Sequence, residues 1–416
     1  MNAGAPNMRR LALASVTGTA LEYYDFAVYN TLAALVFNQL FFPKFDPLAG
    51  TLLSFATYWL GYLSRPVGGI LFGHLGDRRG RRYVLIVTLV IMGATTMLIG
   101  LLPTYSQVGA LAPALLVALR FIQGVALGGE WAGAVLLSAE HGTDEQRGRN
   151  ASFAQMGPSI GVLVASGAVA LTTWLASEEQ LLAGAWRIPL LASAVLVAFG
   201  LWLRIGVGET PQFRDLERGA AQARAPLREV LREHGRGLLV AGGSRFGPDV
   251  MYSLISAFLL SYITKELALS RTLATTALAI GAAFNAAFIF VAGSLSDRFG
   301  RRAVYGAGAI AALAWLWVLF PLLDSKSAVL IGVAVVSGFI IHAFMYGPQG
   351  AFIAEQFPTR VRYAGASLAY TFAGVFAGGV APLALTALYA HFHDSIAVVL
   401  YAGAALLITG LALLKR

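Results

Sequence analysis

The sequence predicts an all-α polytopic membrane protein with twelve transmembrane helices in two pseudo-symmetric six-helix bundles. Three observations support this fold class. Hydrophobic residues make up 57% of the 416 residues and charged residues only 12%, about half the charged share of soluble domains. Apolar runs of about 20 residues, each long enough to cross a bilayer core, follow one another along the chain. The phrase GHLGDRRGRR at 73–82 returns as GSLSDRFGRR at 293–302, which indicates two similar halves.

The twelve helices follow from the length and helical period of these apolar runs. We expect them at about 12–38, 50–73, 83–102, 112–138, 152–174, 187–206, 238–263, 273–295, 303–323, 328–352, 364–388 and 396–414. Arginine and lysine concentrate in the loops on one side, and this bias predicts that both termini are cytoplasmic. The expected location is therefore the plasma (bacterial inner) membrane, with several passes through it.

The one long charged connection divides the chain. It occupies residues 207–236, so we expect an N-terminal six-helix bundle over 1–206 and a C-terminal bundle over 237–416. Thr210 followed by Pro211 is typical of a helix start. The connection is predicted to be an amphipathic linker on the inner membrane surface, where its arginines favour anionic lipid.

The composition excludes several other classes of protein. Taken alone, DRRGRR at 77–82 is typical of a nucleic-acid patch, but the mean hydropathy of +0.70 argues against a nucleic-acid partner. The chain has no cysteine, which excludes disulfides and cysteine-based metal sites. It also lacks a Walker A motif, an HExxH motif and a GxSxG motif followed by a histidine on a facing helix. We therefore expect no enzyme activity, no metal ion and no organic cofactor.

Seven charged residues stand out well inside the predicted helices. Each costs about 2.5–3.5 kcal/mol at the bilayer centre and so needs a partner or a water-filled cavity. They are Glu22, Asp25, Arg65, Arg120, Glu130, Arg245 and Asp249. Arg245 and Asp249 are four residues apart and can pair on one helix. Ion pairs that only hold helices together remain an alternative for all seven.

Asp25 and Arg120 are predicted to lie at similar depth in the membrane. Asp25 is fifteen residues beyond Arg10, about 22 Å along a helix. Arg120 is twenty residues before Glu140, or about 30 Å. Burial favours the neutral form of a carboxyl group and a guanidinium favours the carboxylate. A substrate anion that draws Arg120 away would therefore let Asp25 take up a proton, which couples one substrate to one proton.

Polar and aromatic side chains elsewhere in the helices are candidates for a central binding cavity. An arginine there suits a carboxylate, which it binds through two hydrogen bonds. The proton-coupling residues predicted are Asp25, Arg120 and Glu22. The predicted substrate-binding residues are Arg120, Gln123, Tyr24, Tyr29, Tyr58, Arg245, Asp249, Asn285, Tyr346, Gln349 and Tyr370. Packing at a helix interface remains an equal alternative for five members of this set, Tyr58, Asn285, Tyr346, Gln349 and Tyr370.

The repeated phrase resembles the loop signature of the major facilitator superfamily. Further motifs are similar to those of its metabolite:H⁺ symporter family, which includes shikimate, α-ketoglutarate, citrate and proline/betaine symporters. These motifs are LEYYDF at 21–26, RPVGG at 65–69, RFIQG at 120–124, GGEW at 128–131, WRIP at 186–189 and EQFPTR at 355–360. The resemblance covers nearly the whole chain and is most like the shikimate branch. It implies two bundles that rock about a central cavity, with Asp25 and Arg120 as the coupling acid and its partner.

The same resemblance implies a role for the repeated phrase in conformational gating. Asp77, Arg81 and Glu140 match the cytoplasmic charge lock of the N-terminal half, and the second half repeats it. The predicted gate residues are Gly73, Asp77, Arg78, Arg81, Glu140, Asp297, Arg298, Arg301, Glu355 and Arg360.

The first functional hypothesis is proton-coupled uptake of a small organic anion, such as shikimate or another mono- or dicarboxylate, by a monomer. Protons would be the coupling ion, and the small solute and the lipid bilayer the only partners. Symport of a zwitterion such as proline or betaine is one alternative, because the aromatic residues also suit a quaternary amine. A drug or metabolite:H⁺ antiporter is another, and a receptor that moves nothing is a third.

Overall fold

The computed structural model describes residues 8–44, 53, 56–57, 59–219 and 223–415. Across these ranges the chain is helical almost throughout and forms no strand. Twelve long helices are numbered here in chain order. They are α1 (Met8–Leu32), α2 (Arg65–Arg79), α3 (Arg81–Leu101), α4 (Leu111–His141), α5 (Arg147–Leu175), α6 (Arg187–Ile205), α7 (Gly235–Ser253), α8 (Arg271–Phe299), α9 (Arg301–Asp324), α10 (Ala328–Ala354), α11 (Arg362–Gly374) and α12 (Ser395–Leu414). They confirm the predicted all-α fold.

Three of the helices continue beyond these bounds through wide π turns. The continuations are 33–41 in α1, 254–266 in α7 and 375–392 in α11. Within the described ranges, ten helices are long and apolar enough to span a membrane. The other two are α1, which carries several polar and charged residues, and α2, whose earlier part is described only in fragments. The chain is therefore a polytopic membrane protein.

Helix packing repeats between the two halves. In the first half α1 packs against α5 and α6, and α4 packs against α2 and α3. In the second half α7 packs against α11 and α12, and α10 packs against α8 and α9. The halves meet mainly where α2 contacts α11 and where α5 contacts α8 and α10. This is the pseudo-symmetry that the repeated phrase predicted.

The glycines of the repeated phrase are needed at two tight turns. Gly80 separates α2 from α3 with φ of +102°, and Gly300 separates α8 from α9 with φ of +91°. Glycine adopts positive φ without steric cost, whereas side chains disfavour it. The phrase therefore encodes the same sharp turn in each half.

The connection between the halves contains two short helices. The first, Pro211–Arg218, begins as predicted, because the side chain of Thr210 accepts a hydrogen bond from the backbone N–H of Phe213 at 3.2 Å. The second is Pro226–Glu233. Each buries an apolar side chain against the bundles, Phe213 in the first and Val230 in the second. The linker is therefore docked on the protein along both helices.

Candidate transport cavity and gates

A small cavity lies between the two halves. Its volume is about 60 Å³, and since one water needs about 10–15 Å³, it has room for only a few waters. Its lining side chains come from both halves. They are Tyr23, Tyr62, Pro158, Ser159, Arg245, Asp249, Tyr252, Ser253, Asn285, His342, Tyr346 and Gly378. Four of the predicted substrate-binding residues thus meet at this cavity. A solute larger than a few waters enters only if the halves move apart.

Asp25 lies at the end of a chain of hydrogen bonds in the first half. Its side chain is buried in α1, with 2% exposure. Thr96 Oγ1 donates to Asp25 Oδ2 over 2.6 Å, and Gln123 Nε2 donates to Thr96 over 2.7 Å. Arg120 Nη1 in turn donates to Gln123 Oε1. The structure thus connects the two residues predicted to couple substrate to proton, and it does so through Gln123 and a threonine that the sequence did not single out.

The second carboxylate oxygen of Asp25, Oδ1, differs from Oδ2 in its hydrogen bonding. Among the described residues, Oδ1 of Asp25 has no hydrogen-bond donor although it is buried. A buried charged acceptor without a donor costs free energy, and protonation lowers that cost because it neutralises the carboxylate. This oxygen is the candidate proton site.

Aromatic rings surround the guanidinium of Arg120. Its central carbon lies 3.7 Å from the ring centre of Tyr29 and 4.7 Å from that of Phe26. The hydroxyl of Tyr29 shares a hydrogen bond with Thr57. Cation–π contacts of this kind stabilise an arginine that is shielded from water. They hold the fork of Arg120 beside the Asp25 chain.

Glu22 pairs with Arg65 rather than with Arg120. Arg65 Nη2 lies 3.4 Å from Glu22 Oε1, and both side chains are nearly inaccessible. The guanidinium of Arg65 also lies over the ring of Tyr62, at 4.2 Å. This pair joins α1 to α2 within the first half, next to the cavity wall that Tyr62 forms.

In the second half, Arg245 and Asp249 form the ion pair that their spacing predicted. Nε of Arg245 lies 2.6 Å from Oδ2 of Asp249, and the guanidinium donates to the backbone carbonyl of Tyr370. It also lies 3.3 Å from the centre of the Tyr370 ring. The other face of that ring stacks on Trp131 of α4, at 3.6 Å and 6°. Tyr370 therefore connects the cation of one half to the indole of the other.

Asn285 is the polar centre of a second contact between the halves. Ser159 of α5 donates to its carbonyl oxygen over 2.8 Å. Its amide donates to the backbone carbonyl of Phe339 over 2.6 Å and lies 3.0 Å from Nδ1 of His342. The amide is thus shared among α5, α8 and α10 on the cavity wall.

Six of the described residues that were predicted to bind substrate do not line the cavity. Four of them, Arg120, Gln123, Tyr29 and Tyr370, make the contacts given above, and Tyr24 and Gln349 form hydrogen bonds elsewhere. The hydroxyl of Tyr24 donates to the carbonyl of Pro189 in α6 over 2.7 Å. The amide of Gln349 donates to the hydroxyl of Tyr305 in α9 over 2.8 Å. Tyr58 lies outside the described residues. The position of Tyr24 follows from the helix geometry, because successive residues point about 100° apart. Tyr23 therefore faces the cavity, where Tyr24 was predicted to be.

Tyr252 is a cavity residue that the prediction missed. It lies three residues after Asp249 and seven after Arg245, which places all three on one face of α7. That spacing was a usable signal, because the two charged residues had already been singled out.

A buried charge cluster, called here the first latch, consists of Asp77, Arg81 and Glu140. Arg81 Nη1 lies 3.5 Å from Asp77 Oδ1, and Arg81 Nε lies 3.2 Å from Glu140 Oε2. None of the three side chains is more than 1% exposed. The structure brings together the first set of predicted gate residues.

The first latch reaches across to the second half. Asp77 accepts hydrogen bonds from the backbone N–H groups of Tyr363, at 3.1 Å, and Ala364, at 2.8 Å. These groups are the free donors of the first turn of α11, where the helix dipole favours an anion. Gly73 permits the approach, since a Cβ there would lie 3.0 Å from the Cα of Ala364. Asp77 lies in the first half and caps a helix of the second half, so it joins the two halves.

The second latch, Asp297, Arg301 and Glu355, repeats this arrangement. Arg301 lies 2.6 Å from Asp297 and 3.3 Å from Glu355. Asp297 accepts from the backbone N–H groups of Gly148 and Arg149, both at 2.8 Å, in the first turn of α5. Each half thus caps one helix of the other.

The three remaining predicted gate residues lie outside both latches. Arg78 and Arg298 are exposed, and Arg298 lies over the ring of Phe299 at 5.3 Å. Arg360 is half exposed and pairs with Glu229 of the linker at 2.7 Å. The repeated arginines of the phrase are therefore not equivalent, because only Arg81 and Arg301 point inward.

The linker closes over the first latch. Glu209 accepts from the backbone N–H groups of Arg81, at 3.1 Å, and Arg82, at 3.0 Å, and so caps α3. Burial raises the pKa of Glu209, and these backbone donors oppose that change. Thr210 Oγ1 donates to Glu140 over 2.7 Å. The start of the linker thus contacts the first latch directly.

The linker also contacts the second half at this point. Arg362 donates from one nitrogen to Gln212 of the linker, at 2.6 Å, and to Glu140, at 3.2 Å. Arg362 was not among the predicted gate residues. Its contact ties α11, the linker and the first latch together.

Glu130 is paired with an arginine that the sequence analysis did not single out. Arg204 of α6 forms a buried salt bridge with Glu130, and neither side chain is more than 1% exposed. Thr88 donates to the same carboxylate over 2.7 Å. This contact lies among α3, α4 and α6, away from the lining of the cavity, and favours the interpretation of Glu130 as a packing residue.

Known proteins match this chain along almost its whole length. Residues 11–236 match the family described as Sugar (and other) transporter, and residues 244–416 match the Major Facilitator Superfamily. The chain therefore belongs to the major facilitator superfamily, which confirms the resemblance seen in its motifs. It is a metabolite transporter and not an enzyme.

Individual relatives agree with this assignment. The chain is 38% identical over 401 residues to the Shikimate transporter of Escherichia coli K12, covering 95% of this chain and 92% of the relative. It is 38% identical over 380 residues to the Inner membrane metabolite transport protein YhjE of the same strain, covering 90% and 86%. Its fold is similar to that of the proton:xylose symporter XylE of E. coli, with a TM-score of 0.76, 19% identity and coverage of 98% and 95%.

Proposed function

We propose that this transporter is a proton-coupled symporter that takes up a small organic anion, such as shikimate or another monocarboxylate or dicarboxylate, by alternating access. It acts as a monomer in the plasma (bacterial inner) membrane with both termini cytoplasmic. The observation that carries the proposal is the environment of Asp25, whose Oδ2 is bonded to Thr96 while its Oδ1 is buried without a donor among the described residues. Protons are the coupling ion, and no organic cofactor or metal takes part.

The coupling follows from the hydrogen-bond chain. Arg120 reaches Asp25 through Gln123 and Thr96. A carboxylate substrate that binds Arg120 in bidentate fashion competes with this chain for the guanidinium. The chain then supports the negative charge of Asp25 less well, and the acid takes up a proton. Substrate and proton are bound together, and a monoanion with one proton crosses without net charge.

Alternating access uses the two latches. In the proposal, residues 1–206 and 237–416 move as two bundles joined by the linker at 207–236. With both latches formed, the cavity is closed on the arginine-rich side, which the charge bias assigns to the cytoplasm. Opening toward the cytoplasm requires Asp77 and Asp297 to release α11 and α5.

Two observations support a carboxylate as the substrate: the buried arginines and the similarity to known transporters. Arg245 lines the cavity and Arg120 lies in the first half beside the hydrogen-bond chain of Asp25, and the planar guanidinium groups of both suit a carboxylate. One of the relatives described above is a Shikimate transporter. Both observations favour a small carboxylate.

The test uses purified protein in vesicles with an imposed pH gradient. We expect Asp25→Asn to lose uphill accumulation of shikimate while it retains counterflow exchange, because binding persists without the coupled proton. We expect Arg120→Lys to lose affinity by more than tenfold, because it keeps the charge but loses the fork. Asp144→Asn, at an exposed carboxylate, is the matched control. Full uphill accumulation by Asp25→Asn would remove Asp25 from the coupling step.

Zwitterion symport is a second candidate, and a specific observation favours it. The cavity is lined by Tyr23, Tyr62, Tyr252 and Tyr346 together with Asp249. Several aromatic faces beside a carboxylate suit a quaternary amine. Competition by betaine or proline, rather than by shikimate, would favour this alternative. Protons that move opposite to the solute would instead indicate an antiporter.

A further inference from the structure

A large groove lies outside the transport cavity, on the outer surface of the second half. It has a volume of about 580 Å³ and is walled by α7, α11 and α12. Its lining is almost wholly apolar and includes Gly242, Phe246, Phe372, Phe376 and Leu411. The exposed fractions of Phe376, 61%, and Leu411, 63%, show that it opens outward. In a membrane protein, this surface faces hydrocarbon.

The groove has the depth of one leaflet. On α7 its lining extends as far as Phe246, eleven residues after the start of the helix at Gly235. At 1.5 Å per residue this is about 16 Å, roughly half of a 30 Å hydrocarbon core. Gly242 and Gly243 provide part of its wall, where the missing side chains leave space beside α11 and α12. A groove of this depth accommodates an acyl chain that enters from the arginine-rich side.

More basic than acidic residues lie near the mouth of the groove, since this part of the chain has Glu229 and Glu233 but four arginines and Lys415. Leu231 of the second linker helix and Lys415 at the end of α12 belong to the lining. Arg228 and Arg232 are four residues apart on the same linker helix and both are exposed. Exposed arginines also flank that helix, at 224 and 236. An apolar groove with a cationic mouth is complementary to a lipid that carries a negative headgroup.

We propose that an anionic phospholipid of the leaflet on the arginine-rich side binds here, with an acyl chain in the groove and its phosphate at the linker arginines and Lys415. Basic residues near an anionic surface attract it individually, and the second linker helix holds its arginines close to the groove. The bound lipid joins the linker to α7, α11 and α12. It is therefore a structural ligand of the linker that is independent of the transported solute.

The first test is native mass spectrometry of the full chain in detergent, with phosphatidylglycerol and phosphatidylcholine of identical acyl chains. We expect wild type to retain phosphatidylglycerol preferentially, and Arg228→Gln with Arg232→Gln to lower that preference by about fivefold per arginine. Gly242→Leu, which fills the groove, should lower the retention of both lipids. Gly410→Leu is the matched control, because it adds the same side chain to α12 where nothing lies within 4 Å.

Unchanged retention in Gly242→Leu would overturn the acyl site, and equal binding of the two lipids would overturn the headgroup site. A dimer that Gly242→Leu dissociates would assign the groove to a second copy of the chain instead. A second measurement remains decisive if Gly242→Leu fails to fold. The chain has no cysteine, so Leu411→Cys carries one fluorophore in the groove. Brominated phosphatidylglycerol should quench it at lower lipid fractions than brominated phosphatidylcholine, and equal quenching would contradict the proposal.

Discussion

Substitution of Asp77 by asparagine should open the arginine-rich side of the protein. The carboxylate accepts from the backbone N–H groups of Tyr363 and Ala364 and lies 3.5 Å from Arg81. Asparagine keeps one acceptor oxygen but presents an amide to the second donor, and it removes the charge that the start of α11 favours. A hydrogen bond to a charged group contributes about 1.5–3 kcal/mol, and the helix dipole about 0.3–1 kcal/mol.

The latched conformation should therefore lose about 2–4 kcal/mol relative to the open one. At 1.4 kcal/mol for each factor of ten, the open fraction rises by about 30-fold or more, until it saturates. Ser367 of α11 reports this change, because it is 1% exposed and faces Gly73 of α2. The native chain has no cysteine, so Ser367→Cys gives a single thiol at the interface between the halves.

The assay is the rate of labelling of Ser367→Cys by a water-soluble maleimide, with and without Asp77→Asn. Labelling that requires opening is proportional to the open fraction, so the rate should rise by at least about tenfold. Arg78→Gln is the matched control, because Arg78 is next to Asp77 but exposed, and it should leave the rate unchanged. Equal rates in Asp77→Asn and wild type would refute the role of this carboxylate in closing the halves. Substrate affinity should change little, since Asp77 lies outside the cavity.

Further predictions concern the second latch, the buried ion pair and the linker. Asp297→Asn should accelerate maleimide labelling of Ser152→Cys, a buried position on α5 that faces α8, and an unchanged rate would contradict the second latch. Glu130→Gln or Arg204→Met alone should lower stability by about 3–5 kcal/mol, measured as a lower Tm, because each leaves a buried charge unpaired; the double variant should recover much of the loss, and additive losses would refute the pairing. Burial raises the pKa of Glu209, so the docked linker favours the protonated side chain. The contribution of Glu209 to docking is therefore fully present below the ordinary pKa of a glutamate and is lost as the pH rises through the raised pKa. Hydrogen exchange of the first linker helix, corrected for intrinsic rates, should show this loss in wild type and not in Glu209→Gln.

The fold was predictable because the apolar runs and the repeated phrase of the sequence determine it. Apolar runs of bilayer length require helices, since no water satisfies the backbone inside a membrane. The repeat from Asp77 to Asp297 then requires two similar halves. The turn glycines Gly80 and Gly300 are part of the same phrase, and their positive φ angles explain why they recur.

The site was predictable in its charges but not in its connections. Arg245 and Asp249 pair as their spacing indicates. Asp25, by contrast, depends on Thr96, and a threonine in a membrane helix carries no signal because it also bonds to its own backbone. Arg204 was missed because it lies at the predicted end of its helix, where an arginine is expected to face lipid headgroups. Its burial depends on how α6 packs against α3, the neighbour of α4, which a single sequence does not show.

The contacts between the halves were unpredictable for a different reason. Asp77 and Asp297 bind backbone N–H groups, and any residue can supply such a group. The residues that donate to Asp77 are Tyr363 and Ala364, whose side chains play no part in the hydrogen bonds. The repeated phrase therefore predicted the acceptor residues. The donors could be identified only from the structure, which shows how α2 packs against α11.

The two latches are similar in sequence but should differ in strength. In the first latch no side chain is more than 1% exposed, whereas in the second the exposures are 12–30%. Electrostatic attraction is weaker where solvent screens it. The linker also bonds to the first latch, through Thr210 and Glu140. We therefore expect Asp77→Asn to accelerate labelling more than Asp297→Asn does, and high salt to weaken the second latch more than the first. Equal effects of the two substitutions at every ionic strength would show that burial does not set the order.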